Sequence, residues 1–489
     1  MGRLTIAGMG TASSDHMTKK AIDCIRQADE VYLRTIIHRS AEDIKQQRED
    51  LQSFDALYES SANFDMVYEA IADELIDKAK ADRHILYLVP GSPSFAEASV
   101  KQILARAAGS DIDIEVLPSV SFVDAILSSM TYDGADGFKL IDALKLKVED
   151  LDKNCVILLC QIYDNLIAAE VKLILMEYYA ADKPIYVIQH AGEQDAVILS
   201  TALYKMDRKI QYDHMTSIFI PADTAYDNTR DFQTLLEIMD KLRAEDGCDW
   251  DKAQTHDSLK RYLIEESYEV LDAIEAKDST QVCEELGDVL LQIVFHAQIA
   301  AEDEQFDIRD VIQAINTKML NRHPHVFKNR QMLPSDDVQI EWEQIKRKEK
   351  GYQGLSKSLH DVPKHLPALL RADRVQDKAK KFAFDFENIS QICGKIEEEL
   401  KEFTDALAQN DHKQAADELG DLLFSIVNMS RFLGINSEDA LNKSTQKFIG
   451  RITKMEDMAF KEGSSLSEMN LNMLNDYWEK VKNKENTKE

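Results

Sequence analysis

A chain of 489 residues has room for roughly two to four domains with buried cores, and its 44% hydrophobic content is ordinary for a globular protein. Its 58 Lys and Arg stand against 88 Asp and Glu, a net charge of −30, which argues against a nucleic-acid polymer as partner because a phosphate backbone needs concentrated positive charge. No apolar run is long enough for a membrane span. The six cysteines (Cys24, Cys155, Cys160, Cys248, Cys283 and Cys393) form no CxxC pair, so neither a zinc site nor a disulfide framework is expected, and the N-terminus lacks a signal-peptide pattern. A reducing cytoplasm is the expected location.

From the start to about Ala222, short apolar runs alternate with amphipathic segments, the pattern of an α/β domain. Strands are predicted at Leu4–Gly8, Glu30–Arg34, Ile85–Val89, Ile112–Leu117, Cys155–Gln161, Ile185–Gln189 and Ser217–Pro221, with helices at Met66–Ala79, Phe95–Ala107 and Ala168–Tyr178. Gly8-Met9-Gly10 and Pro90-Gly91-Ser92-Pro93 close two of the strands. Open α/β sheets place ligands at such strand ends, although the same residues also read as plain tight turns.

Leu4-Thr5-Ile6-Ala7-Gly8-Met9-Gly10, Ala28-Asp29-Glu30-Val31-Tyr32, Val89-Pro90-Gly91-Ser92-Pro93 and Gln161-Ile162-Tyr163-Asp164 together resemble the tetrapyrrole (corrin/porphyrin) methylase family over residues 1–222. The resemblance implies a two-lobed α/β fold with S-adenosylmethionine between its lobes, and points to Gly8, Gly10, Pro90, Gly91 and Pro93 as cofactor-binding residues. One departure matters. Gly10-Thr11-Ala12-Ser13 stands where the family has a Gly-Pro-Gly turn, so weak cofactor binding is expected and the fold carries over on firmer ground than methyl transfer does.

Beyond Asp223 the chain turns helical, and two phrases recur. Glu265-Glu266-Ser267-Tyr268-Glu269 with Glu284-Glu285-Leu286-Gly287-Asp288 returns as Glu398-Glu399-Leu400-Lys401-Glu402 with Asp417-Glu418-Leu419-Gly420-Asp421. The offsets agree: 399 − 266, 402 − 269, 418 − 285 and 421 − 288 are all 133. One EExxE is ordinarily a solvated helix face, but a duplicated EExxE plus ELGD is not well explained that way. Glu266 and Glu269 stand at i, i+3, as do Glu285 and Asp288, so each pair shares a helix face and two antiparallel helices bring the four carboxylates together. The second helix is strongly apolar, with Gly287 and Asp288 in its midst, and an unpaired carboxylate in such a setting needs compensation. A hard divalent cation, Mg²⁺ or Mn²⁺, is the natural candidate.

Thr255 or Asp257 is expected to cap the first carboxylate helix, a second helix spans Thr280–Ala300, and a third from about Ile308 carries Lys318 and Arg322. After Arg322-His323-Pro324-His325-Val326-Phe327, a fourth holds Glu341-Trp342-Glu343. His323 and His325 lack a third ligand nearby and are read as ordering the loop. In the second copy Asn388 or Ser390, Asp411 and Ser437 precede the corresponding helices, Lys447 and Arg451 repeat the i, i+4 cationic pair, and Trp478-Glu479 closes the unit. Gly351–Gly354 marks the boundary between copies. Carboxylates for metal followed by a Lys/Arg pair are what phosphoanhydride chemistry requires: charge neutralisation, water activation and a grip on phosphate.

This set, with Trp250-Asp251 and Gln254-Thr255-His256, closely resembles the MazG family of nucleoside triphosphate pyrophosphohydrolases in tandem, and the whole chain resembles a YabN-type fusion of such units to a methylase-like domain. The resemblance implies a multidomain chain: a methylase-like domain (1–222), a first all-α bundle (223–350), a linker (351–361) and a second bundle (362–489). It further implies a homodimer through the helical units, hydrolysis of NTPs to NMP and pyrophosphate, Glu266, Glu269, Glu399 and Glu402 as catalytic residues, and phosphates on Lys318, Arg322, Lys447 and Arg451. Mg²⁺ falls to Glu266, Glu269, Glu285 and Asp288 in one unit and to Glu399, Glu402, Glu418 and Asp421 in the other. Asp249 replaces a common Pro, and Gly450 replaces an Arg that often precedes Arg451, weakening the second phosphate grip. Two alternatives stand beside the enzyme: a nucleotide-sensing module regulating an S-adenosylmethionine-dependent methyltransferase domain, and a dimerisation scaffold with solvated acidic stripes. Complete ligand sets in both units favour catalysis over the first, and Gly287 and Asp288 inside an apolar helix speak against the second.

Overall fold

The computed structural model describes residues 2–328 except 12, 62, 209 and 225, then 338, 342, 345 and 355–486. It divides into two compact units, Met1–Val311 and Ile312–Glu489.

The first unit opens with five parallel strands in the order β3-β2-β4-β1-β5: β1 (Arg3–Gly8), β2 (Glu30–Leu33), β3 (Leu51–Ser53), β4 (His84–Val89) and β5 (Asp113–Val116). Period-2 alternation sorts its side chains. Leu4, Ile6, Ile85, Tyr87 and Val89 pack against α4 (Phe64–Lys80) and α5 (Ala98–Ala107), whereas Ala7, Leu86 and Leu88 pack against α1 (Lys19–Gln27) and α2 (Ser40–Gln47). Two short helices, α3 (Asp55–Ser60) and α6 (Phe122–Ser129), complete this half.

A second five-stranded sheet follows, in the order β6-β7-β10-β8-β9: β6 (Phe138–Asp142), β7 (Val156–Cys160), β8 (Pro184–Gln189), β9 (Val197–Ala202) and β10 (Thr216–Ile220). Among its neighbouring strands only β6 and β7 pair in parallel. Ile157 and Leu159 face α7 (Asn165–Tyr178), while Val156 and Leu158 face α6. The sequence reading found seven of these strands and missed β3, β6 and β9, each of which is an edge strand. An edge strand pairs on one side only, so its sequence carries less of the apolar signal.

Helix α8 (Phe232–Arg243) joins the α/β part to the helices beyond it. At its start, Tyr178 donates to Asp231, and Arg230 donates to the Met176 and Glu177 carbonyls at 2.9 and 2.8 Å. Along its length Glu237 pairs with the buried Lys153, and its other face puts Met239 into a core with Leu259, Val294, Phe295 and Ile299. After the short α9 (Asp249–Lys252), Thr255 and Ser258 form a capping box that starts α10 (His256–Ala276). Lys277, left-handed at φ 57°, ends that helix, and Asp278 caps α11 (Ser279–Glu302).

The division between units falls inside α12 (Ile308–Arg322). The second unit continues with α13 (Pro324–Phe327), α14 (Leu355–His360), α15 (Ala368–Lys380), α16 (Ile389–Ala408), α17 (His412–Phe432), α18 (Ser437–Lys461) and α19 (Leu471–Asn486). Asn388 and Asp411 cap α16 and α17 as expected. At α18 the cap is Asn436, whose side-chain oxygen accepts from the Glu438 and Asp439 amides; Ser437 is already the first helical residue. The expected boundary at Gly351–Gly354, and Glu341 and Glu343 of the expected fourth helix, lie outside the described residues.

Between the two sheets, Arg39 at the start of α2 pairs with Glu193 (2.6 Å) and Asp195 (2.8 Å) on the loop after β8. His190 stands between Asp213 (2.7 Å) and Asp195 (3.2 Å), and the Asp213 bond holds the imidazole above its ordinary pKa. A raised histidine stabilises the fold below its unfolded pKa, and that contribution is lost as pH rises through the folded value. Denaturant melts should therefore show wild type more stable than His190→Gln at about pH 6, with the gap closing by about pH 8–9. A gap that widens with pH would contradict this assignment.

Candidate active site

Helices α10 and α11 bring Glu266, Glu269 and Glu285 together so that one carboxylate oxygen of each lies within 4.8 Å of the others. In the second unit α16 and α17 do the same with Glu399, Glu402 and Glu418. Each triad combines an i, i+3 pair from one helix with a single Glu from the next. The acidic residue three positions later stands outside both triads. Asp288 is half-buried and still acts on Glu266 through its charge, whereas Asp421 is exposed. Three of the four expected carboxylates in each unit thus lie within that distance of one another.

The electrostatics follow from crowding. Burial raises Glu266 above the usual carboxylate range, and the charges of Asp288, Glu269 and Glu285 add to it. Glu285 is raised by burial and by Glu269, and Glu402 by burial, Glu418 and Glu399. Like charges this close disfavour full ionisation unless a cation neutralises them. An all-oxygen donor set of this kind fits a hard divalent ion.

One residue escaped the sequence reading. Lys395 reaches Glu399 at 2.6 Å and Glu398 at 2.9 Å, and Glu399 itself is 4% exposed. These contacts raise the lysine further above its ordinary value, the Glu399 bond first. The signal was available: 395 − 133 = 262, and position 262 is Tyr, so the repeat differs there by a charge one helical turn before the key glutamate.

The cationic pairs lie on single helices, as their spacing required. Lys318 is exposed on α12, and the Arg322 guanidinium lies 5.6 Å from the Trp342 ring. Lys447 is exposed on α18, and Arg451 lies 5.2 Å from the Trp478 ring while its Nε donates to Glu485 at 2.9 Å. His323 Nδ1 bonds the Met319 carbonyl at 2.8 Å, closing the end of α12.

The apolar face of α11 corrects one expectation. Its second half is buried through Val294, Phe295, Ala297 and Ile299, but the stripe Leu286, Leu290 and Ile293 is exposed, Leu286 by 52%. Gly287 is exposed too, and a Cβ there would meet nothing within 4 Å. In a single chain, then, neither Gly287 nor Asp288 is enclosed in an apolar core.

The turns of the α/β part are committed internally. The Gly8 amide donates to Ser119 Oγ (2.9 Å), the Met9 amide to the Val89 carbonyl (2.8 Å) and the Gly91 amide to the Gly10 carbonyl (2.8 Å). A Cβ on Gly8 would come within 2.0 Å of the Gly91 carbonyl, so close approach of the two turns requires glycine there. Gly10 is left-handed at φ 75° against His16, Pro93 is buried and Pro90 half-buried. Thr11, in place of the expected proline, bonds His16 at 2.8 Å and abuts Gly192. With these groups used and the turn crowded, the residues at this turn do not fit an S-adenosylmethionine cradle.

Residues 3–207 match the tetrapyrrole (corrin/porphyrin) methylases, and residues 254–327 and 388–455 match the MazG nucleotide pyrophosphohydrolase domain. The protein is thus a methylase-type α/β domain followed by two MazG domains. Along its full length it is 38% identical to the uncharacterized protein YabN of Bacillus subtilis, over 99% of both chains, and it belongs to that family. Its helical half is 47% identical over 256 residues to the nucleoside triphosphate pyrophosphohydrolase/pyrophosphatase MazG of Thermotoga maritima, covering 52% of this chain and 97% of that one. It is 39% identical over 254 residues to the nucleoside triphosphate pyrophosphohydrolase of Escherichia coli K12, covering 51% and 97%.

The triads make a prediction about stability. A cation that binds only the folded chain stabilises it by about 2.7 kcal/mol at a hundredfold excess over Kd. The melting temperature of the full chain should rise with Mg²⁺ or Mn²⁺ at constant ionic strength. Glu285→Gln with Glu418→Gln should raise the metal-free melting temperature, since each change removes a repelling charge, and should remove most of the metal response. An undiminished response in the double variant would place the metal elsewhere.

Proposed function

We propose that the protein is a divalent-metal-dependent pyrophosphohydrolase that converts NTP and water to NMP and pyrophosphate in its helical units. The observation that carries this reading is the pair of glutamate triads, generated by one repeat offset and each closing to within 4.8 Å. Glu266, Glu269 and Glu285, with Asp288 nearby in charge, would hold Mg²⁺ in the first unit; Glu399, Glu402 and Glu418, with Asp421, would do so in the second. When bound, the cation supplies charge neutralisation and activation of the attacking water.

The protein's own groups do the rest. Burial and mutual repulsion raise Glu266 and Glu285 in one triad and Glu402 in the other, so each would lose its proton more readily with a cation bound. Lys318 and Arg322, and Lys447 and Arg451, grip the phosphates; the planar guanidinium suits the leaving pyrophosphate because it offers parallel donors to two oxygens. Lys395 holds Glu399 in place in the metal-free second unit.

The second copy expected from the sequence also finds support. Leu286, Leu290 and Ile293 on α11, with Ile264, Leu271 and Ile274 on α10, leave an apolar stripe exposed beside the first triad. A homodimer that covers this stripe would further desolvate the carboxylates and strengthen their hold on metal and phosphate.

With Mg²⁺ and a panel of NTPs, the primary products should be NMP and intact pyrophosphate; NDP and orthophosphate would overturn the reading. Glu266→Gln or Glu399→Gln alone should leave roughly half the activity. Together they should lower it by on the order of a hundredfold or more, the loss of several kcal/mol of charge stabilisation. If one single variant abolishes turnover, the other unit has a structural role.

A further inference from the structure

Arg451 is held in an unusual way for a structural arginine. Glu485 on α19 accepts from its Nε at 2.9 Å through Oε2, and the other carboxylate oxygen, Oε1, accepts from Lys454 at 2.5 Å. A purely structural Arg–Glu pair gains most from the two-pronged arrangement, in which both carboxylate oxygens meet one edge of the guanidinium. Here the carboxylate is split between two cations. Among the described residues, the guanidinium's terminal nitrogens carry no hydrogen bond, while the ring of Trp478 lies 5.2 Å from its central carbon. Phe448 packs on the same tryptophan with ring centres 5.3 Å apart.

The tryptophan and glutamate of this arrangement recur in the sequence of the first unit. Trp478 and Glu485 stand seven residues apart, 485 − 478 = 7, which puts them two turns apart on one face of α19. The first unit repeats the spacing as Trp342 and Glu349, 349 − 342 = 7, and there Arg322 lies 5.6 Å from the Trp342 ring. Glu349 lies outside the described residues. In neither unit did the carboxylate motifs point to this glutamate.

We propose that Glu485 is a positioning residue for phosphate binding: by tying down Nε against the Trp478 face it fixes the guanidinium plane and leaves both terminal nitrogens for the substrate's phosphate oxygens. This rests on the reading of Arg451 as a phosphate ligand. An arginine has five donors in a fixed fork, so fastening the Nε edge orients the opposite end at no loss of its two-oxygen grip. Lys454, sharing the carboxylate, keeps Glu485 from turning to face the guanidinium end-on.

The test uses the full chain carrying Lys318→Ala and Arg322→Ala, so that the second unit is read. In that background Glu485→Ala should raise KM for NTP about tenfold with little change in kcat, and weaken calorimetric binding of inorganic pyrophosphate with Mg²⁺ by a similar factor. Glu485→Gln keeps an acceptor for Nε and should recover most of the lost affinity. The melting temperature should fall no more for Glu485→Ala than for Glu479→Ala on the same helix. Unchanged KM and pyrophosphate affinity in Glu485→Ala would overturn the inference, as would a loss that tracks the fall in melting temperature or a Gln variant no better than Ala. Arg451→Ala separates the two levels: if it leaves pyrophosphate affinity intact, the phosphate reading of Arg451 itself fails.

Discussion

The helical units depend on a repulsion. Three glutamates from two helices are held with an oxygen of each inside 4.8 Å, in two places. Helices α10 and α11 can keep them there only because other contacts clamp the pair: Leu259 from α10 and Val294, Phe295 and Ile299 from α11 share a core with Met239. Each buried side chain of that size contributes about 1.5–3 kcal/mol. Packing at one end of the hairpin thus holds together the charges farther along it. The strain shows in the protons, since Glu266 and Glu285 are both raised above the ordinary carboxylate range. On the proposed reading, a cation bound there would relieve what folding imposes.

The same core couples this hairpin to the α/β domain. Met239 belongs to α8, whose N-terminus is fastened to that domain by Tyr178, Arg230 and the buried Lys153. Lys153 is 3% exposed, and removing its partner Glu237 would leave a charge with little water around it. The first helical unit is therefore not an independent bead on a string. Its carboxylate hairpin is braced against a helix that the methylase-type domain holds in place.

How far the sequence could be read depended on whether a residue's role was local. Strands buried on both faces, such as β1, β4 and β7, announced themselves as apolar runs, whereas three of the four edge strands, β3, β6 and β9, did not. Glu266 and Glu269, or Glu399 and Glu402, share a face by helical geometry alone, so their pairing was legible. That Glu285 and Glu418 would join them was legible too, through the constant offset of 133. What sequence spacing does not encode is the rotation of one helix about its axis relative to another. Exposure is a matter of that rotation too: Asp421 and Gly287 both lie open to solvent, which no count of residues along α17 or α11 fixes. The same holds for Glu485, whose role depends on where α19 lies against α18.

The two helical units differ in ways that the repeat conceals. Position 262 is Tyr in the first and its counterpart 395 is Lys in the second, so the second triad carries its own counter-ion, 2.6 Å from the one glutamate that is almost fully buried. On the proposed reading, Glu266, Glu269 and Glu285 would hold a cation with no positive side chain paired to them among the described residues, whereas Glu399 in the second triad would share it with the Lys395 ammonium. The lysine would lower the electrostatic gain from such a cation and would add a positive charge beside the triad for phosphates to meet. On the proposed reading the first unit would gain more from the cation and the second would keep a positive charge of its own, and both could serve one reaction because each would have to neutralise a polyphosphate between two acidic helices.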